Sequence, residues 1–240
     1  MNTQRDSLAA QYARLWDGAV EFVRRGDVRI DPVLAGRAAD RRRGLTVLAR
    51  PAREVQSQVN DFIRLLRGTD PEQYYYDSAE LHVTVLSLFT ATEEIDRYMA
   101  HYDAYQEAVR SALAGALGLG IEFTGVTLTR EAVLIQGYPE SAALMDTRDA
   151  LRRELRARGL TEGLDGRYRL ETAHMTVVRF RHPPRDSRGY TELLERYRNH
   201  PFGRTQVQEL HLVRNDWYMS RSVVEGWAIY SLASNPAPPT

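Results

Sequence analysis

The 240-residue sequence contains no cysteine. Disulfides, thiolate nucleophiles and cysteine metal clusters are therefore excluded, and the composition suits a reducing compartment. Net charge is also absent, with 32 Lys and Arg against 32 Asp and Glu. Proteins that grip long nucleic acid by its backbone are ordinarily basic, so no long duplex partner is expected. No apolar stretch is long enough to span a bilayer, and the first residues lack the basic-then-apolar layout of a secretion signal; the expectation is a cytoplasmic protein with no membrane partner. Low-complexity tracts and interdomain linkers are missing too. What remains is ordinary globular composition, 43% hydrophobic and 27% charged, sufficient for a sizeable core.

Within it, one short pattern occurs twice: Leu81-His82-Val83-Thr84-Val85-Leu86 and Ala173-His174-Met175-Thr176-Val177-Val178. Strand side chains alternate faces, so His82 and Thr84 share one face, as do His174 and Thr176, while Val83, Val85, Met175 and Val177 point to the core. An imidazole beside a hydroxyl, presented twice, is a compact donor set for a phosphoryl group. A single His on a strand is more often a hydrogen-bonded structural residue, but the surroundings repeat as well. Leu45 to Ala49 and Ala132 to Tyr138 are apolar runs, each soon followed by Pro (Pro51, Pro139) and a helical pattern, over residues 52–67 and 140–158. Proline suits the first turn of a helix, where its missing N–H has no helical partner. The shared order of strand, Pro, helix and His-x-Thr strand is an internal repeat.

These motifs resemble the two-histidine (2H) phosphoesterase superfamily, which includes RNA 2′,3′-cyclic phosphodiesterases often labelled 2′-5′ RNA ligases. His82-Val83-Thr84-Val85 and His174-Met175-Thr176-Val177 match its paired signature, and Arg179 is similar to the Arg frequently found after the second motif. The resemblance implies an α+β fold of two pseudo-symmetric lobes of antiparallel sheet flanked by helices, with both histidines acting in a central cleft. In domain terms, residues 1–43 are expected as a helical extension packed on the body, 44–234 as the bilobal domain and 235–240 as a disordered tail.

Elsewhere, residues 6–25 carry apolar positions at helical spacing, and residues 93–117 read as a further helix ended by Gly118 and Gly120. Residues 121–129 and 132–137 form an expected hairpin around Arg130-Glu131, and residues 205–213 and 223–233 another, with residues 215–218 at its turn end. Arg41-Arg42-Arg43 is either a solvated turn or, near the cleft, a phosphate contact. Tyr74-Tyr75-Tyr76 cannot all face a core in a simple alternation, so at least one ring is expected to be partly exposed, either to stack on a base or to wall the sheet.

The chemistry these pairs support is metal-independent opening of a cyclic phosphodiester of a nucleotide or RNA end. One imidazole takes a proton from the nucleophile, the other gives one to the leaving oxygen, and the Thr84 and Thr176 hydroxyls hold the non-bridging oxygens. Ligation of RNA ends is the reverse displacement at the same site, and a non-catalytic nucleotide- or RNA-end-binding module is the alternative of a different class. No cofactor or metal is expected: His101, His182, His200 and His211 form no ligand motif, and only Glu80 and Glu171 lie near the pairs. The expectation places His82 and His174 on central strands facing one cleft. Arg179, at odd offset from His174, reaches that cleft only through a bulge or a strand end. Tyr76, Arg130 and Tyr218 are weaker substrate-binding candidates on loop position alone.

Overall fold

The computed structural model describes residues 3–34, 36, 39–166 and 169–234. The expected tail at 235–240 lies outside them. Two antiparallel sheets carry the fold. The first is built from Arg43–Ala49 (β1), Val83–Thr92 (β3), Glu209–Asn215 (β8) and Glu225–Ser231 (β9), in the order β3-β1-β8-β9. The second is built from Tyr74–Tyr75 (β2), Leu119–Leu128 (β4), Ala132–Pro139 (β5), Met175–Arg179 (β6) and Pro201–Val207 (β7), in the order β2-β6-β5-β4-β7. Leaving out the two-residue β2, the sheets correspond strand for strand, each His-x-Thr strand pairing with the strand that precedes it in its own repeat.

The helices after β1 and β5 have the same buried stripe. In α3 (Arg53–Thr69) it is Val55, Val59, Phe62, Ile63 and Leu66; in α6 (Ala143–Ala157) it includes Leu144, Arg148, Leu151, Arg152 and Leu155. That spacing puts each set on one helical face. Each helix packs on the other repeat's lobe. Helix α3 leaves β1 of the first sheet and lies on β7 and α7 (Ser187–Arg196) of the second, with the Phe62 ring 5.7 Å from Phe202. Helix α6 leaves β5 of the second sheet and lies on β3 of the first and on α5 (Tyr102–Leu113). Burying a full stripe on a foreign sheet joins the lobes through one continuous core.

The expected single helix near the start is two, α1 (Thr3–Asp17) and α2 (Val20–Arg24), broken at Gly18. The helix expected over 93–117 likewise divides into α4 (Ile95–Met99) and α5 around Ala100 and His101. Helix α1 lies on β4 and β5 and is tied down by Tyr12. The Tyr12 hydroxyl donates to the Gly137 carbonyl at 3.0 Å and accepts from the Gly137 and Ala173 amides, each at 3.2 Å. Gly137 has no alternative: a Cβ there would meet the Ala173 carbonyl oxygen at 2.0 Å.

The strand expected over 205–213 is corrected. It is two strands in different sheets, β7 and β8, and the chain changes sheet at Gln208. The partner of β9 is β8 alone. The tyrosine expectation is corrected as well, since Tyr74, Tyr75 and Tyr76 are all buried. Both faces of β2 are covered. The Tyr75 hydroxyl donates to the Asp70 carbonyl at 2.6 Å beneath the Arg67 guanidinium, while the Tyr74 ring lies against Tyr76 and Tyr218.

Candidate active site

His82 and His174 stand one residue before β3 and β6. The expectation of two central strands is corrected on one side: β3 is the edge of its sheet, whereas β6 is interior only because β2 covers it. Both strands then do the same unusual thing. The pairing register slips between Leu48↔Thr84 and Val47↔Leu86, leaving Val85 as an extra residue, and between Leu134↔Thr176 and Val133↔Val178, leaving Val177 as one. These are β-bulges directly after each motif threonine. Each buries two consecutive valine or leucine side chains and returns the following residue to the His/Thr face. In β6 that residue is Arg179; in β3 it is Ser87.

A cavity of ≈ 190 Å³ between the lobes is lined by His82, Thr84 and Ser87 from one side and by His174, Thr176, Arg179 and Tyr76 from the other. Among the described residues, the two non-glycine residues with positive φ, Asp165 (50°) and Met219 (55°), both line it. Strained backbone of this kind persists where surrounding structure over-determines it, as it does around ligand sites.

The imidazoles are oriented differently. His82 Nδ1 lies 2.7 Å from the Glu80 carbonyl oxygen. A carbonyl only accepts, so Nδ1 carries the proton and Nε2 holds the lone pair. His174 Nδ1 is 2.8 Å from the Thr172 hydroxyl, which either donates or accepts. Both imidazoles have pKa values lowered to about 4. For His82 the main cause is burial, with the Arg50 and Arg179 charges adding to it. For His174 it is burial, then Arg148, His82 and Arg179. That His82 lowers the pKa of His174 is itself a sign of their proximity.

Arg179 is positioned by its Nε, which donates to the Tyr76 hydroxyl at 2.9 Å, and its guanidinium lies 5.9 Å from the Tyr218 ring centre. Among the described residues it makes no ion pair with a carboxylate. A largely buried guanidinium without a carboxylate is costly unless an anion completes it. Tyr218 supports rather than lines the central cavity; its hydroxyl donates to Asp31 Oδ2 at 2.7 Å. Arg130 is corrected: it lines neither this cavity nor its neighbour, pairs with Asp27 and covers the Phe22 ring at 4.4 Å. The Arg41–Arg43 run is a turn around Asp40, with Arg42 held by that carboxylate at 2.8 Å. Glu80 is engaged by the Arg221 and Asp77 amides, and Glu171 by Gln11. Among the described residues no three His, Asp or Glu side chains are grouped to hold a metal ion. Nor is any helix among them long and apolar enough to cross a membrane.

The residue that sequence reasoning missed is Arg148. From the buried face of α6 its Nε donates to the Val85 carbonyl at 2.8 Å and Nη2 to Thr84 at 2.9 Å, both in β3. The same guanidinium donates to the Glu171 and Thr172 carbonyls at 2.9 and 2.8 Å, on the approach to His174. One side chain therefore clasps the backbone of both His/Thr segments across the lobes. The signal was present in the sequence, because Arg148 and Arg152 fall four and eight residues after Leu144 on the apolar stripe. Arg152 holds Asp165 at 2.7 Å and so braces the loop that lines the cleft.

A sequence profile of the 2′-5′ RNA ligase superfamily matches residues 51–217. In structure, the chain is similar to TT0787 of Thermus thermophilus, with a TM-score of 0.55 at 17% identity over 79% of this chain and 97% of that one. A second similar structure, described as a phosphoesterase, gives 0.51 at 14% identity over 80% and 98%. E. coli LigT complexed with 3′-AMP gives 0.47 at 15% identity over 80% and 98%. No curated protein sequence matches the chain. At such identities the superpositions above 0.5 speak for the fold, while the profile spans well over half of the chain; this protein belongs to the 2′-5′ RNA ligase superfamily, the 2H phosphoesterases.

Proposed function

We propose that the cleft hydrolyses cyclic phosphodiesters of nucleotides or RNA ends, of the 2′,3′ type, by acid-base catalysis between His82 and His174. The observation that carries this reading is two imidazoles and two threonine hydroxyls, from two lobes, lining one small cavity together with the guanidinium of Arg179. Phosphate binding alone does not call for opposed imidazoles; in-line displacement does, because base and acid then stand on opposite sides of phosphorus. Water attacks phosphorus, its proton passes to the neutral imidazole, and the bond to one ribose oxygen breaks as the other imidazole protonates that oxygen. The product is a phosphomonoester. Thr84, Thr176 and Arg179 hold the non-bridging oxygens, where charge grows in the transition state.

With the hydroxyl of a second RNA end in place of water, the same attack opens the cyclic phosphate, releases one ribose oxygen as a protonated hydroxyl and joins the two ends, in keeping with the superfamily's name. The deciding assay offers 2′,3′-cyclic nucleotides and cyclic-phosphate-ended RNA to the purified protein, with and without chelator. Turnover that survives chelation and falls at least about 10²-fold in His82→Ala and in His174→Ala is expected, the lower end of general acid-base contributions. Binding without turnover across the panel would make the protein a nucleotide-binding module.

A further inference from the structure

Beside the central cavity lies a larger one of ≈ 810 Å³, and the two share His174, Thr176, Arg179 and Trp217. Its outer wall is the segment that precedes β1: Arg14 and Leu15 from α1, then Ile30, Asp31 and Leu34. Leu134 and Phe180 of the second lobe face them across the space. None of that outer wall falls within residues 51–217, the part of the chain that the superfamily profile matches.

The two cavities differ in what they fit. Small-molecule sites usually measure roughly 300–1,000 Å³, so the central space suits a phosphoryl group and the side space suits what the phosphoryl group carries. The side cavity is lined by apolar side chains, Leu15, Ile30, Leu34, Leu134 and Phe180 among them, together with hydrogen-bonding ones such as Gln11, Thr129 and Thr172. Its charges are mixed, with Arg14, Arg29, Arg169 and Arg179 against Asp31, Glu131 and Glu171; Arg29 is paired with Glu131 at 3.4 Å, Arg169 with Asp149 at 2.8 Å and Asp31 with Arg42 at 3.8 Å. A flat ring would find apolar faces there, and a sugar hydroxyl or an exocyclic amine would find hydrogen-bonding side chains.

We propose that this side cavity is the nucleoside subsite of the protein, built in large part by the segment before β1, and that it holds the nucleoside attached to the reacting phosphate. This rests on the phosphodiester reading above. Ile30 is the position to test because it is 45% exposed, so changing it does not open the core.

The experiment compares Ile30→Asp with the wild type on two five-membered cyclic phosphates, adenosine 2′,3′-cyclic phosphate and glycerol 1,2-cyclic phosphate, which share the reacting ring and differ in the nucleoside. The expected result is a loss of tenfold or more in kcat/KM for the nucleotide, carried by KM, with the glycerol compound unchanged within twofold. Equal losses on both compounds, or none on either, would overturn the subsite. If the wild type turns over neither compound, the phosphodiester reading fails, and the subsite is judged by titration calorimetry instead. Adenosine 3′-monophosphate should then bind the wild type at least tenfold more tightly than Ile30→Asp, while inorganic phosphate binds both alike. Equal affinity of the two proteins for the nucleotide, or no binding, would refute the subsite on its own.

Discussion

The depressed histidines make a pH prediction whose size follows from the structure. Acid-base catalysis by the pair needs one imidazole neutral and one charged. With both pKa values at about 4, the free protein at pH 7 holds that proton in roughly one molecule in a thousand. Since kcat/KM reports the free enzyme, it should fall about tenfold for each pH unit above about 5. Substrate changes the balance. A phosphate charge about 4 Å from an imidazole, at an effective dielectric near 20, is worth about 4 kcal/mol, or about three pKa units in favour of the imidazolium. The basic limb of kcat should therefore sit near neutrality while kcat/KM still declines, so that KM rises with pH. Both limbs belong to the coupled pair and not to either residue. Stability limits the acid side of this measurement. Between the unfolded value of 6.5 and the folded value of about 4, the unfolded chain binds more protons than the folded one. Stability is thus lost as pH falls through that window, by up to about 3 kcal/mol for each histidine. Initial rates from pH 4.5 to 9, with melting temperatures at each point, test the scheme. A kcat/KM that stays level up to pH 8 would refute it, since the free histidines would then keep a proton that their burial and the neighbouring arginines should remove.

Other perturbations isolate single contacts. Arg148→Lys keeps the charge but cannot reach four carbonyls in two lobes; it should lower stability by at least about 2 kcal/mol in urea unfolding, and lower kcat more than it raises KM, because charged hydrogen bonds are worth about 1.5–3 kcal/mol each. Equal kcat would mean that the clasp does not set the spacing of the histidines. Tyr12→Phe removes the acceptor for two buried amides and should cost about 1–3 kcal/mol by the same measurement; a change below about 0.5 kcal/mol would detach α1 from the account of the site. Thr84→Val and Thr176→Val keep shape and lose a hydroxyl, so each should reduce kcat/KM by the equivalent of about 1–3 kcal/mol, and unaltered kinetics in both would remove the threonines from phosphate binding.

Much of this architecture was legible because it repeats. The His-x-Thr strands, the helices after β1 and β5 and the hairpin at Arg130-Glu131 follow from local periodicity and turn chemistry, although neither proline falls in a first helical turn: Pro51 precedes the Ala52 N-cap and Pro139 ends β5, four residues before α6. What escaped is non-local. Along residues 205–213 the buried positions shift phase between Val207 and Leu210, and a bulge within one strand would give the same shift as a change of sheet at Gln208. Tyr74 and Tyr75 of β2 and Tyr76 after it escaped for a related reason. An edge strand is half-exposed only if nothing covers its outer face, and here Tyr218 and the Arg67 side chain do. Arg130 was placed by its loop alone, and a loop position carries no information about which end of a sheet it occupies. Arg148 and Arg152, by contrast, were visible as two charges on an apolar stripe and needed only to be taken as an anomaly.

The bulges explain why one phosphate-sized cavity emerges from two strands that merely repeat. With strict alternation, His174 and Thr176 would face the cleft and Arg179 would be driven into the core beside Met175 and Val177, where a guanidinium costs several kcal/mol. The extra residue Val177 reverses the phase, and Tyr76, arriving on the edge beside β6, supplies the hydroxyl that fixes the Nε. In β3 the same slip at Val85 delivers Ser87 instead, whose hydroxyl is 3.4 Å from that of Thr46. The repeat is thus symmetric in backbone and asymmetric in charge, with one cationic ligand on the His174 side and neutral hydroxyls on the His82 side. On the proposed reading, a phosphoryl group between them would be drawn toward Arg179, which lines both the central and the larger cavity.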